Sequence, residues 1–110
     1  MTYRAPVADI QHALKVAGFD ALLETHAFDG ADAETIAAIL EAAAEFAQGV
    51  LAPLNRSGDS EGVTLENGKV RTASGFVDAY RQYREGGWPS LAADPEFGGQ
   101  GLPSALALAV

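Results

Sequence analysis

Apolar residues recur along the first part of this chain at helical spacing. Ile10, Leu14 and Ala17 lie three to four positions apart after Pro6, which predicts a first helix from about Pro6 to Ala17. Gly18 is suited to end that helix in a left-handed turn. A further short apolar turn is predicted at Phe19, Leu22 and Leu23.

The strongest periodic pattern predicts a helix from about Ala33 to Leu51. Asp32 is a good N-cap, and Glu34 lies in the first turn, where the helix dipole favours a negative charge. Because Pro53 has no N–H, we expect the helix to end or kink there and a polar break to follow over residues 55–62. The apolar stripe comprises Ile36, Ile39, Leu40, Ala43, Phe46, Ala47, Val50 and Leu51.

The pattern then changes to two short segments with β propensity. Asn67-Gly68 between residues 63–66 and 69–72 predicts a tight hairpin, because both turn positions tolerate positive φ. Two strands alone are marginally stable in water, so we expect the hairpin to lie against helices. A helix is predicted from Gly75 to Glu85, and Gly86-Gly87 ends it. Its apolar face would carry Phe76, Val77, Tyr80 and Tyr83, and a loop would follow over residues 94–101.

The last segment, residues 104–110, is apolar to its final residue and follows Pro103, which suits a helix start. Because no cap or polar tail follows, we expect a chain that is cut short at its C-terminus. Two alternatives stay open. One is a short terminal helix docked on the rest, and the other is a last strand in which Leu106, Leu108 and Val110 alternate.

Composition narrows the fold class and the function classes. Alanine occupies 22 positions, against ten for Val and Ile together, which favours a mainly α-helical bundle with one small hairpin. A length of 110 residues allows one domain. The net charge of -8 argues against nucleic-acid binding, and zero cysteines fit a reducing compartment. With no run of about 18 apolar residues, we expect a soluble cytoplasmic protein without a membrane span.

Candidate chemistry among single residues is sparse. His12 and His26 lack the i, i+4 partner of a helical metal site, and we expect surface or half-buried positions for both. Glu41 and Glu45 share a helix face and are expected on its wet side. The residues alone show no catalytic constellation and no metal site.

One longer motif is more specific. Residues 85–103 contain Pro95-Glu96-Phe97-Gly98-Gly99-Gln100-Gly101-Leu102, which closely resembles the N-terminal helical domain of acyl-CoA dehydrogenases. Residues 3–10 and 46–55 agree with the same family, within a branch of long enzymes, so the resemblance covers essentially the whole chain.

The resemblance implies a helical domain over residues 1–110, with an N-terminal extension over 1–30 and core helices, hairpin and glycine loop over 31–110. Members of the family hold FAD, oxidise acyl-CoA to trans-2-enoyl-CoA and usually pass electrons to an electron-transferring flavoprotein. The catalytic glutamate and the principal flavin contacts lie beyond Val110 in the family layout. The resemblance therefore implies a fragment that is not catalytic alone and needs the remainder of the dehydrogenase or oligomeric subunits.

Within this chain, the resemblance places a loop next to the acyl-binding cavity and gives it a structural role in orienting the next helix. That loop comprises Phe97, Gly98, Gly99, Gly101 and Leu102. The alternative is a stand-alone helical interaction module derived from the same domain, binding a protein through an exposed stripe near Leu106.

Overall fold

The computed structural model describes residues 2–110, which form a mainly helical fold. Its helices are α1 Val7–Val16, α2 Phe19–Glu24, α3 Ala33–Phe46, α4 Ala52–Glu61, α5 Phe76–Glu85 and α6 Ser104–Ala109. A π-helical segment, Ala47–Leu51, joins α3 to α4, and 3-10 turns lie at Trp88–Ser90 and Pro95–Phe97. Strands β1 Thr64–Glu66 and β2 Lys69–Arg71 pair antiparallel. The predicted combination of helices with a small hairpin is confirmed.

The buried core lies where α1, α2 and the first half of α3 meet the segment that leads into α6. Gly18 adopts the left-handed conformation expected of it, which allows α2 to begin directly after α1. Asp32 caps α3 by accepting a bond from the Thr35 N–H at 2.7 Å. Hydrogen bonding with Thr35 lowers the pKa of the Asp32 carboxyl. The buried cluster comprises Phe19, Ala31, Ile36, Leu40, Leu91, Leu102 and Leu106.

The helix was expected to end or kink near Pro53; it does not end there, and the polar break expected over residues 55–62 is wrong, because α4 covers Ala52–Glu61. The Ala52 N–H bonds to the carbonyl of Ala47, five residues back, so the π-helical turn ends where Pro53 enters the first turn of α4. Pro53 has no N–H to donate, and the change to five-residue bonding just before it interrupts the α-helical hydrogen-bond pattern at the place where that donor is missing. Helix α4 therefore continues through the polar residues to Glu61 and ends at Gly62 with φ +72°.

The stretch Ala33–Glu61 is one helical run of 29 residues with a mean hydropathy of 1.4 in its most apolar window. By length and composition it is able to cross a membrane, a test that the core helices of water-soluble proteins also pass. This is weak evidence for a membrane helix, and the expectation of no membrane span remains a prediction.

The hairpin is present, with Leu65 opposite Val70 in register and Asn67 at φ +51° in the turn. The expectation that helices cover it is wrong. Every residue of β1 and β2 is exposed, and Leu65 and Val70 are 72% and 69% exposed. The apolar positions that predicted the strands thus face solvent.

Helix α5 is confirmed, and contacts at its N-terminal end hold it against α4. Ser74 donates from its N–H and its hydroxyl to the two carboxylate oxygens of Glu61, at 3.0 and 2.8 Å. The Phe76 ring lies so close to Gly58 that a Cβ there would be 2.6 Å from Phe76 Cζ. Of the residues of α5, only Ala79 is buried, so its apolar face is largely open.

At the C-terminus the short docked helix is observed, as α6, and the strand alternative is wrong. Leu106 is completely buried in the core, and the alternative of an interaction module that binds through a stripe near it stays a prediction. The exposed apolar residues of this end are Leu108 and Val110.

Candidate functional site

The candidate site is the loop of residues 94–102, which folds back along residues 90–93. The Gln100 N–H donates to the Ser90 carbonyl at 2.9 Å, and the Leu102 N–H donates to the Leu91 carbonyl at 2.9 Å. Between them, the Gly101 N–H donates to the Ala93 carbonyl at 3.0 Å. These three bonds form a short ladder between the two segments. The ladder fixes the direction in which the backbone enters Pro103 and α6.

Three glycines of the loop are required for different reasons. Gly98 and Gly101 have φ values of +85° and +65°, a backbone region that side chains with a Cβ disfavour. Gly99 has an ordinary φ, but a Cβ there would overlap the carbonyl group of Ala93 and lie 2.5 Å from Ala93 Cβ. Gly99 therefore permits the close approach of two backbone segments, whereas Gly98 and Gly101 permit the turns on either side of it.

The five predicted site residues share a loop but do not converge on one point. Leu102 is buried in the core, while Phe97 is 84% exposed. The three glycines lie between them in the sequence. A cleft of about 480 Å³ does lie beside the loop, between it and α3. Its lining includes Ala38, Ile39, Trp88, Leu91 and Gln100.

Gln100 has a structural role in the loop that the sequence did not predict. Its Nε2 donates to the Gly87 carbonyl at 2.8 Å and to Ser90 Oγ at 3.3 Å. Gly87 holds a left-handed φ of +80° at the end of α5, so Gln100 ties that turn to the entry of α6. The only signal for this in the sequence is a long amide side chain among glycines, which does not name its partner.

The loop is not built as an anion cradle. A phosphate-binding loop presents unpaired backbone N–H groups to the ligand. Here all seven consecutive N–H groups from Glu96 to Leu102 donate to oxygens of this chain, that of Glu96 to Asp94 Oδ1 at 2.8 Å. The chemistry of the loop is therefore structural: it holds backbone geometry and offers no donors to a phosphate.

The remaining candidates lie on the surface, as expected. His12, His26, Glu41 and Glu45 are all exposed. Among residues 2–110, no group of three or more His, Cys, Asp or Glu is placed to hold a metal ion. His26 has φ +55° in the turn after α2, an uncommon conformation that ends that helix.

Helix α5 carries its own paired charges. Asp78 accepts bonds from Arg81 and from Gln82 Nε2, and these bonds lower the pKa of the Asp78 carboxyl. The Asp78 carboxylate in turn raises the pKa of Arg81. The exposed pair is an ordinary i, i+3 interaction on a helix surface and not a substrate-binding arrangement.

No family model matches the chain. In pairwise comparison, however, its sequence corresponds over its whole length to one segment of an acyl-CoA dehydrogenase, which confirms the resemblance carried by the glycine loop. The relative is the 3-methylmercaptopropionyl-CoA dehydrogenase of Ruegeria pomeroyi (strain ATCC 700808 / DSM 15171 / DSS-3), which is 36% identical over 110 residues. The match covers 99% of this chain and 19% of the relative, so the chain spans about a fifth of that enzyme's length.

Proposed function

We propose that this chain serves as the N-terminal helical segment of a flavin-dependent acyl-CoA dehydrogenase. The observation that carries the proposal is similarity along the entire chain, at 36% identity, to an enzyme of that class. The parent reaction would be the α,β-dehydrogenation of an acyl-CoA thioester to trans-2-enoyl-CoA, with electrons leaving to an electron-transferring flavoprotein. The absence of cysteine from the sequence supports extending the proposal to a reducing compartment, the cytoplasm.

The role we assign to this chain is positional. The ladder between residues 90–93 and 100–102 orients α6, and the glycines allow the backbone to pass close to Ala93. In the parent enzyme this loop would form a wall near the acyl-binding cavity, with Phe97 available for contact because its ring is exposed. The loop would thus fix the position of one side of the cavity and would not react with the substrate.

FAD would supply the hydride acceptor in the parent enzyme. The residues of the loop do not fit its pyrophosphate, because the N–H groups from Glu96 to Leu102 are already bonded within the chain. We therefore assign no flavin contact to this loop, and we propose that the chain is not catalytic alone.

Two measurements test this proposal. The purified chain should show no stoichiometric flavin absorbance and no acyl-CoA-dependent reduction of an artificial electron acceptor. The Ruegeria pomeroyi enzyme in which this chain replaces the matching fifth should retain flavin and oxidise 3-methylmercaptopropionyl-CoA.

The matched control for that chimera carries Gly99→Val in the loop and should lose activity. A yellow, active 110-residue chain would refute the assignment of a non-catalytic segment. A chimera that neither retains flavin nor turns over substrate would refute the dehydrogenase role.

A further inference from the structure

The molecule exposes much more surface than a compact protein of its size. Its solvent-accessible surface is 7935 Å², whereas about 5,800 Å² is typical of a compact monomer of this mass. Its radius of gyration is 16.9 Å and its extents are 54 × 38 × 18 Å, against a radius of about 13 Å for a compact domain of this length. The chain is therefore a flat slab with roughly 2,100 Å² of excess surface.

Exposed apolar side chains concentrate in one part of that slab. Of the fourteen large hydrophobic residues exposed among residues 2–110, eight lie within residues 51–83. Several of them form a groove of about 380 Å³ between α4 and α5, which we call the α4–α5 groove. Its lining is Leu51, Leu54, Asn55, Phe76, Ala79, Tyr80 and Tyr83.

Contacts near both ends of α5 fix its position beside the α4–α5 groove. A Cβ on Gly75 would lie 2.8 Å from Leu54 Cδ2, so the start of α5 sits directly on the Leu54 side chain. The Tyr83 ring lies 6.5 Å from that of Tyr80 and 6.4 Å from that of Phe46 on α3, centroid to centroid. Tyr80 and Tyr83 both lie on α5, so this helix supplies the aromatic side of the groove, and the contact with Phe46 joins that side to α3.

The charge distribution also suits burial at this place. Residues 56–84 contain five Lys or Arg and four Asp or Glu, a net charge of +1, whereas the rest of the chain has two cations and eleven anions. On α5 itself, Asp78 is paired with Arg81. Burying unpaired charge costs free energy at an interface. A partner that covered the groove would bury little such charge.

We propose that the α4–α5 groove is the surface on which the remainder of the acyl-CoA dehydrogenase polypeptide packs, through an apolar element of its own. This inference rests on the proposed function. A standard protein–protein interface covers about 800 Å² of each partner, less than half of the excess surface, and two copies would each bring a net charge of -8. A second copy would cover less than half of the excess surface and would carry a like net charge, whereas the remaining four-fifths of the enzyme is large enough to cover all of it.

The experiment uses the Ruegeria pomeroyi chimera described above with a matched pair of leucine substitutions. Leu51, in the groove, is 45% exposed, and Leu22, on α2, is 37% exposed. In the 110-residue chain, Leu51→Glu and Leu22→Glu should shift the melting temperature by similar small amounts, because both side chains already reach water. In the chimera, only Leu51→Glu should lower the flavin content and the activity, by roughly tenfold or more relative to the unmodified chimera, because it would bury a carboxylate in an apolar contact.

Tyr80→Glu provides a second variant from the opposite wall and should behave like Leu51→Glu. Equal behaviour of the groove variants and Leu22→Glu in an active chimera would overturn the inference while leaving the proposed function intact. An unmodified chimera without flavin and activity would overturn both. Dimerisation of the isolated chain that is abolished by Tyr80→Glu, together with an active Tyr80→Glu chimera, would assign the groove to a second copy instead.

Discussion

Replacing Gly99 by alanine should destabilise the chain more than its single added methyl group would ordinarily do. The new Cβ would overlap the Ala93 carbonyl group, which already accepts the Gly101 N–H at 3.0 Å. Relieving the overlap requires the two segments to separate by about an ångström, which breaks this bond and strains its neighbours. Lost backbone hydrogen bonds at about 1 kcal/mol each, with overpacking of 1–3 kcal/mol, add up to roughly 2–4 kcal/mol.

Thermal unfolding followed by circular dichroism measures this loss. For a domain of this size, a cost of that order lowers the melting temperature by roughly 10 °C or more. Two control glycines separate the causes: Gly49 has open space around it and an ordinary φ, whereas Gly98 has open space and a φ of +85°. Gly49→Ala should be neutral or slightly stabilising, and Gly98→Ala should cost about 1 kcal/mol from its backbone alone. A Gly99→Ala variant that melts no lower than Gly98→Ala would refute the close-approach argument.

Three further outcomes are expected. Asp32→Ala should lower the melting temperature at neutral pH, because the ionised carboxyl caps α3. The difference in melting temperature between the variant and the unmodified chain should vanish as the pH falls through the lowered pKa of Asp32. Equal differences at pH 7 and at about pH 2 would contradict this. Gln100→Glu should destabilise the chain more at pH 7 than Gln100→Ala, because a carboxylate would face the Gly87 carbonyl in place of a donor, and equal melting temperatures would remove that role. Binding of anilinonaphthalene sulfonate, followed by fluorescence, should fall with Tyr80→Glu and remain unchanged with Val16→Glu, since Val16 is exposed alone on α1; equal losses would place the dye elsewhere.

Local signals in the sequence predicted most elements because they act within a few residues. Asp32 as the cap of α3, Gly18 as the end of α1 and Asn67-Gly68 as the hairpin turn all follow from backbone preferences, and all three are observed. The end of the long helix was not predictable in this way. Pro53 excludes one hydrogen-bond pattern, but a π-helical turn before it provides another, and the apolar spacing of the residues does not distinguish the two outcomes.

Burial was harder to predict than secondary structure. The alternation around Leu65 and Val70 indicates strands correctly, but it does not tell whether another part of the polypeptide covers them. The same holds at the candidate site, where the glycines predict a loop while the bond from Gln100 to Gly87 joins residues thirteen positions apart. Such a contact requires the turn at the end of α5 and the loop to be placed together first.

The π-helical segment absorbs one extra residue without turning α4 relative to α3. A π-helical turn amounts to one residue inserted into an α-helix, because its N–H groups reach back five residues instead of four. Deleting one residue between Ala47 and Leu51 would therefore let ordinary α-helical bonds replace the wider turn, and Leu54 and Asn55 would keep facing α5. Homologous enzymes that differ by a single-residue gap at this point should consequently present the same side of the fourth helix to the fifth, although their chains are one residue shorter.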